Sequence, residues 1–169
     1  MREMKFSDMS KEMLEQLQRG AFITVKDKDG NTNTMTIAWG SIGYMWNKPI
    51  FTAMVRYSRY TYDIIERSNE FTVSFPINND LKNELSICGR KSGRDIDKFK
   101  DCNLNPLESK NVDAPIIKEC DLYMECKVVY KQEMNEDGFL DNNVKDKCYP
   151  DGDYHVLYYG EILSVYMND

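Results

Sequence analysis

The spacing of apolar residues along this chain predicts mostly strands, with short helices set between them. Ala21 to Val25 is rich in strand formers, and Met35 to Trp39 follows with partial alternation. Asp29-Gly30 between these two runs suits the tight turn of a hairpin. Ile50 to Val55 is a continuous apolar run of buried-strand length that restarts the chain after Pro49. Glu70 to Phe75, closed by Pro76, is a further strand. Ile116-Ile117 and the alternating run Asp121 to Tyr130 resume strand character. Tyr154 to Tyr166 predicts one long closing strand, bent at Gly160, because glycine inside a strand marks a bulge or a close approach.

Helical spacing is confined to short stretches. Residues 10–20 predict an N-terminal helix capped by Ser10, striped by Met13, Leu14 and Leu17, and ended by Gly20. Tyr62 to Arg67 has helical character, as does Asp95 to Lys100. Asn79 or Asp80 caps another short helix with Leu81, Leu85 and Cys88 on one face. Residues 131–153 are acidic, carry turn signals at Gly138 and Asp151-Gly152, and read as loop or hairpin decoration. Without a regular βαβ alternation or an internal repeat, the expected architecture is mainly β, an antiparallel sheet closed or sandwiched.

Composition narrows the function classes. A chain of 169 residues is expected to form one domain, 1–169, with a real core. A net charge of −6 argues against a broad nucleic-acid surface. No apolar run reaches membrane-spanning length and no signal-type segment opens the chain, so a cytoplasmic protein without membrane contact is the expectation. Five cysteines without C-x-x-C spacing and a single histidine predict neither a disulfide framework nor a metal site.

The candidate chemistry concentrates where a strand feeds a helix. Arg56-Tyr57-Ser58-Arg59-Tyr60-Thr61 contains two guanidinium groups and two hydroxyls with no carboxylate among them, in an acidic chain. Ser58 is placed to cap the helix, and the first helical amides lack internal acceptors. Amides, hydroxyls and guanidinium forks there converge either on an anion such as phosphate or on nothing more than the helix start. A second basic loop, Gly89 to Arg94, also precedes a helix; it lacks the order of a Walker loop. Trp39 and Trp46, the only tryptophans, sit in the stretch upstream of the first junction, together with Gly40 and Gly43.

The runs N-T-M-T-I-A-W-G-S-I-G and V-R-Y-S-R-Y-T-Y resemble the flavin reductase-like domain, above all its flavoredoxin branch. The likeness extends through E-F-T-V-S-F-P, S-G-R-D-I-D-K-F, Ala114-Pro115 and His155 with Gly160-Glu161-Ile162. This resemblance implies a split β-barrel of Greek-key topology binding FMN, usually as a homodimer with the flavin near the subunit interface. It places Asn33, Met35, Thr36 and Trp39 along the flavin ring, and Arg56, Ser58 and Thr61 at the phosphate and ribityl chain. Lys91, Ser92 and Lys98 follow as contacts from the second basic loop, and His155 stands near the flavin or a nicotinamide as the catalytic candidate. The implied activity is electron transfer through bound flavin, fed by NAD(P)H or by a redox protein partner. No Gly-x-Gly-x-x-Gly motif is present, so a nicotinamide would bind transiently. The residues read alone leave a second class open, a non-catalytic binding domain for another phosphorylated small molecule.

Overall fold

The computed structural model describes residues 1–168. In chain order its elements are β1 (Arg2–Met4), α1 (Phe6–Leu17), β2 (Ala21–Lys26), β3 (Thr32–Ile37), β4 (Gly40–Met45) and β5 (Lys48–Arg56). There follow α2 (Tyr60–Ser68), β6 (Glu70–Phe75), α3 (Lys82–Arg90), α4 (Lys98–Asp101), β7 (Pro106–Leu107) and β8 (Ile116–Ile117). The chain ends with β9 (Leu122–Glu133), a 3₁₀ turn (Glu136–Gly138), α5 (Asn142–Cys148) and β10 (His155–Met167).

Eight strands form one antiparallel sheet in the order β3-β2-β6-β9-β10-β5-β4, with β1 added to the far end of β10. Neighbours distant in sequence, such as β10 beside β5, are the crossed connections of a Greek key. The end strands β3 and β4 are joined by Ala38-Trp39 alone. Two residues bridge no more than ~11 Å, whereas six strand spacings laid flat would separate the ends by ~29 Å. The sheet must therefore curl until its ends meet at that link, which makes it a barrel split between β3 and β4.

Apolar residues of β2, β3, β5, β6, β9 and β10 fill the interior with side chains of α1 and α2, Phe51, Phe71, Val73, Val55 and Ile64 among those excluded from water. A smaller cluster outside the barrel packs Phe22, Tyr123 and Tyr166 under α3 and the β7–β8 pair. Gly160 sits at a register shift between β10 and β9, where a Cβ would lie 2.7 Å from the Phe71 ring and 2.8 Å from Cys126 Cβ. The bend expected there is set by this close approach.

Several local expectations are corrected. The first helix begins at Phe6, and Ser10 lies inside it with its hydroxyl donating to the Phe6 carbonyl at 2.7 Å. Ser58 does not cap α2: Arg59 holds the cap position and Ser58 stands one residue earlier. Only the end of the Asp95–Lys100 stretch is helical, because Asp97 accepts from the amides of Phe99 and Lys100 and starts α4 there. Residues 131–153 are not all decoration, since β9 continues through Glu133 and α5 follows. No helix is long and apolar enough to cross a membrane among the described residues.

Candidate functional site

At the seam of the barrel, Met35 to Trp39 form one wall of a cleft of about 90 Å³, and Met54, Arg56, Arg59 and His155 form the other. Strand pairing builds this arrangement. His155, the first residue of β10, lies opposite Arg56, the last of β5. The Trp39 ring stands 5.5 Å from the His155 ring and is 44% exposed on the two-residue link. β3 is an end strand, paired to β2 on one side only, so part of its backbone is left for another partner.

His155 is buried, with Nδ1 at 2.8 Å from the Tyr149 hydroxyl. Burial first, and then the nearby Arg56 charge, push its pKa down to about 4, so the ring is neutral at neutral pH. A neutral imidazole here can hold or relay one proton without adding charge to the cleft.

Three cations gather around the cleft, and their contacts differ in kind. Arg56 donates to the carbonyls of Asp153 at 2.6 Å and Cys148 at 2.8 Å, with its guanidinium over the Tyr149 ring. Arg59 donates to the Gly89 carbonyl at 3.1 Å, and Lys98 to the adjacent Cys88 carbonyl at 2.9 Å. These two cations face the C-terminal end of α3, where helix carbonyls favour positive charge. Lys98 is buried, which lowers its pKa, and the neighbouring Arg59 cation lowers it further. Asp153, 4.0 Å from Arg56, is the carboxylate that balances this group. In a chain of net charge −6, the lining of this cleft carries two guanidinium groups and no carboxylate.

A larger cavity of about 510 Å³ lies toward the start of β3, lined by Thr32, Asn33, Tyr60, Gly93, Arg94 and Lys98 with their neighbours. Gly93 packs so tightly on the Asn33 side chain that any Cβ there would overlap it.

The fold therefore brings Met35, Thr36, Trp39, Arg56 and His155 to one cleft, and Asn33 and Lys98 to the adjoining cavity. Thr36 spends its hydroxyl on the Leu85 carbonyl at 2.6 Å, which leaves its backbone as the part available to a ligand. Thr61 is fully buried and its hydroxyl accepts from Asn33 Nδ2 at 2.8 Å, so it positions Asn33 rather than facing either space. Ser58 is exposed beside the cleft, its hydroxyl on Asp153. Lys91 is exposed and Ser92 accepts from the Arg94 amide at 3.1 Å; neither lines the cleft or the cavity. Sequence reasoning missed Met54, Tyr149 and Asp153. Met54 lay in a run read as core, and the other two lay in the stretch read as decoration.

The arrangement offers a half-apolar slot with an open strand edge, a neutral imidazole and a cluster of cations, suited to a flat polar heterocycle with an anionic tail. Comparison with known proteins identifies the family. An uncharacterised protein of Archaeoglobus fulgidus is 31% identical over 137 residues, which are 81% of this chain; the chain spans 66% of that relative's length. The flavoredoxin of Methanosarcina acetivorans superposes with a TM-score of 0.70 at 26% identity, over 89% of this chain and 68% of its own. The flavoredoxin of Desulfovibrio vulgaris gives a TM-score of 0.69 at 24% identity, over 89% of this chain and 69% of its own. The model of the flavin reductase like domain matches residues 17–169, and the chain belongs to that family.

Proposed function

We propose that this chain binds FMN and passes electrons through it, as a flavoredoxin-like carrier or a flavin reductase. The observation that carries this reading is the pair Arg56 and Arg59 in a cleft lined by no carboxylate and walled by Trp39 and His155, with Lys98 close to Arg59.

The residues fit the cofactor. The Asp153 carboxylate sits on the Ser58 hydroxyl at 2.6 Å and on its amide at 3.3 Å, a contact that supports reading this corner as an anion site. Arg56, Ser58 and Arg59 would hold the phosphate, with Lys98 adding charge from behind. Backbone groups of β3 from Met35 to Ile37 would serve the polar ring edge, and Trp39 and Met54 would give the ring its apolar faces. The cleft of about 90 Å³ is small beside the ~300 Å³ and more of ordinary ligand pockets, so seating the ring would require a wall of the cleft to move. Bound flavin supplies the redox chemistry, by hydride or by single electrons. The chain positions it, excludes water from one face and places the neutral His155 for proton exchange.

The electron donor is a nicotinamide dinucleotide or another redox protein. We further propose a homodimer. Tyr44, Trp46 and Tyr130 are 65%, 58% and 49% exposed, and Trp46 and Tyr130 join Tyr159 in a continuous aromatic patch beside the split.

The deciding experiment is an absorption titration of the purified protein with FMN, followed by anaerobic NADH and NADPH. Perturbed flavin bands that bleach with a nicotinamide establish a reductase. Perturbed bands that resist it and yield to dithionite establish a carrier. Unperturbed bands would overturn the flavin reading in favour of another phosphorylated ligand.

A further inference from the structure

Residues 134–154 cross the mouth of the anion corner as a strap between β9 and β10. Neither the 3₁₀ turn nor α5 within it has a buried residue, and Leu140 is fully exposed. Tyr149 is its one buried side chain. Its C-terminal end is held by ring packing of Tyr149 and Tyr154 on Phe139 together with polar contacts. Arg56 grips the carbonyls of Cys148 and Asp153, and the Asp153 carboxylate takes the amide and hydroxyl of Ser58.

We propose that Asp153 sets the selectivity of the anion corner, acting as an internal competitor for the donors that a phosphate monoester would use. A phosphorylated flavin seats only by displacing Asp153 and loosening the strap. An unphosphorylated flavin needs no such release. This rests on the flavin reading above and adds to it a residue that weakens phosphate binding. The physical reason is exclusion: two anions cannot share the Ser58 donors, and each repels the other across a few ångströms. Because the two events compete, ligand binding and strap release are linked with equal strength in both directions.

The test compares FMN with riboflavin on the wild-type protein and on Asp153→Asn, which keeps the shape but loses the charge. Absorption titration should give FMN binding about tenfold tighter in Asp153→Asn and riboflavin binding unchanged, since a charged acceptor holds its donors about twice as strongly as a neutral one. A second readout needs no variant. Trypsin should cut the wild-type strap at Lys145 or Lys147 several times faster with saturating FMN than with saturating riboflavin. An FMN-to-riboflavin affinity ratio equal in the two proteins, or a strap equally protected under both flavins, would overturn the role of Asp153 while leaving flavin binding intact. If neither flavin binds either protein, the flavin reading itself fails and this inference falls with it.

Discussion

The barrel wall and the strap are joined at two peptide bonds, Glu133–Met134 and Tyr154–His155, and they are held by different means. On the wall side, β5 and β10 pair from His155↔Arg56 to Glu161↔Ile50, and Ala53, Val55 and Val156 are almost wholly removed from water. On the strap side, cohesion rests on a small ring cluster of Phe139, Tyr149 and Tyr154, the Lys145–Glu136 ion pair, and the contacts of Arg56 and Asp153. Burial of apolar surface is non-directional and collective, whereas a few exposed polar bonds can be exchanged for bonds to water or to a ligand. The wall is therefore the scaffold of the site, and the strap is the half free to respond. Local opening is drawn from regions of this second kind.

The contrast can be tested from its strongest side downward. Gly160→Val forces a side chain into the Phe71 and Cys126 contacts, and should cost about 3 kcal/mol or prevent folding. Thermal denaturation measures it; a melting point near wild type would mean the wall is looser than its packing implies.

His155 comes next. Its folded pKa of about 4 lies below the ordinary 6.5, so the unfolded chain binds the extra proton first as pH falls. Stability is then full above about pH 6.5 and is lost as pH drops toward 4, by up to roughly 3 kcal/mol. Urea titrations across this range should show that slope, and His155→Gln should flatten it.

Arg56→Ala should act mainly on the strap. Releasing the carbonyls of Cys148 and Asp153 should cost about 2 kcal/mol of local stability and speed tryptic cleavage at Lys145 or Lys147. An equal loss of protection in the amides of β5 would blur the division between wall and strap. At the small end, Leu140→Ser changes a fully exposed side chain and should leave the melting point unmoved, within about 0.5 kcal/mol.

Much of the wall was legible in the sequence. β-Branched and aromatic runs announce β2, β5, β6, β9 and β10, because burial on a pleated surface selects those residues. β4 escaped notice because Gly40, Ser41 and Gly43 break its pattern; Ser41 is exposed, and at Gly40 the Phe51 ring and the Thr52 carbonyl leave no room for a side chain. The Arg56 to Ser58 junction was legible because its residues are neighbours. Its partner Asp153 was not, being 97 residues from Arg56 and 95 from Ser58. Only the register of β10 on β5 brings them together, and register is a tertiary property. Thr61 shows the same limit in reverse, since proximity along the chain could not tell that its hydroxyl turns inward to Asn33.

The two tryptophans bracket β4, one against His155 and the other in the turn after it, where Trp46 and Asn47 both adopt the left-handed conformation. Their separation gives the chain an optical probe of its own chemistry. With Trp46 replaced by Phe, the remaining indole emits from beside the imidazole alone. An imidazolium quenches a neighbouring indole more than a neutral ring does, so emission intensity becomes a direct titration curve for His155. That curve can be followed in the folded Trp46→Phe variant without labelling and without any bound ligand.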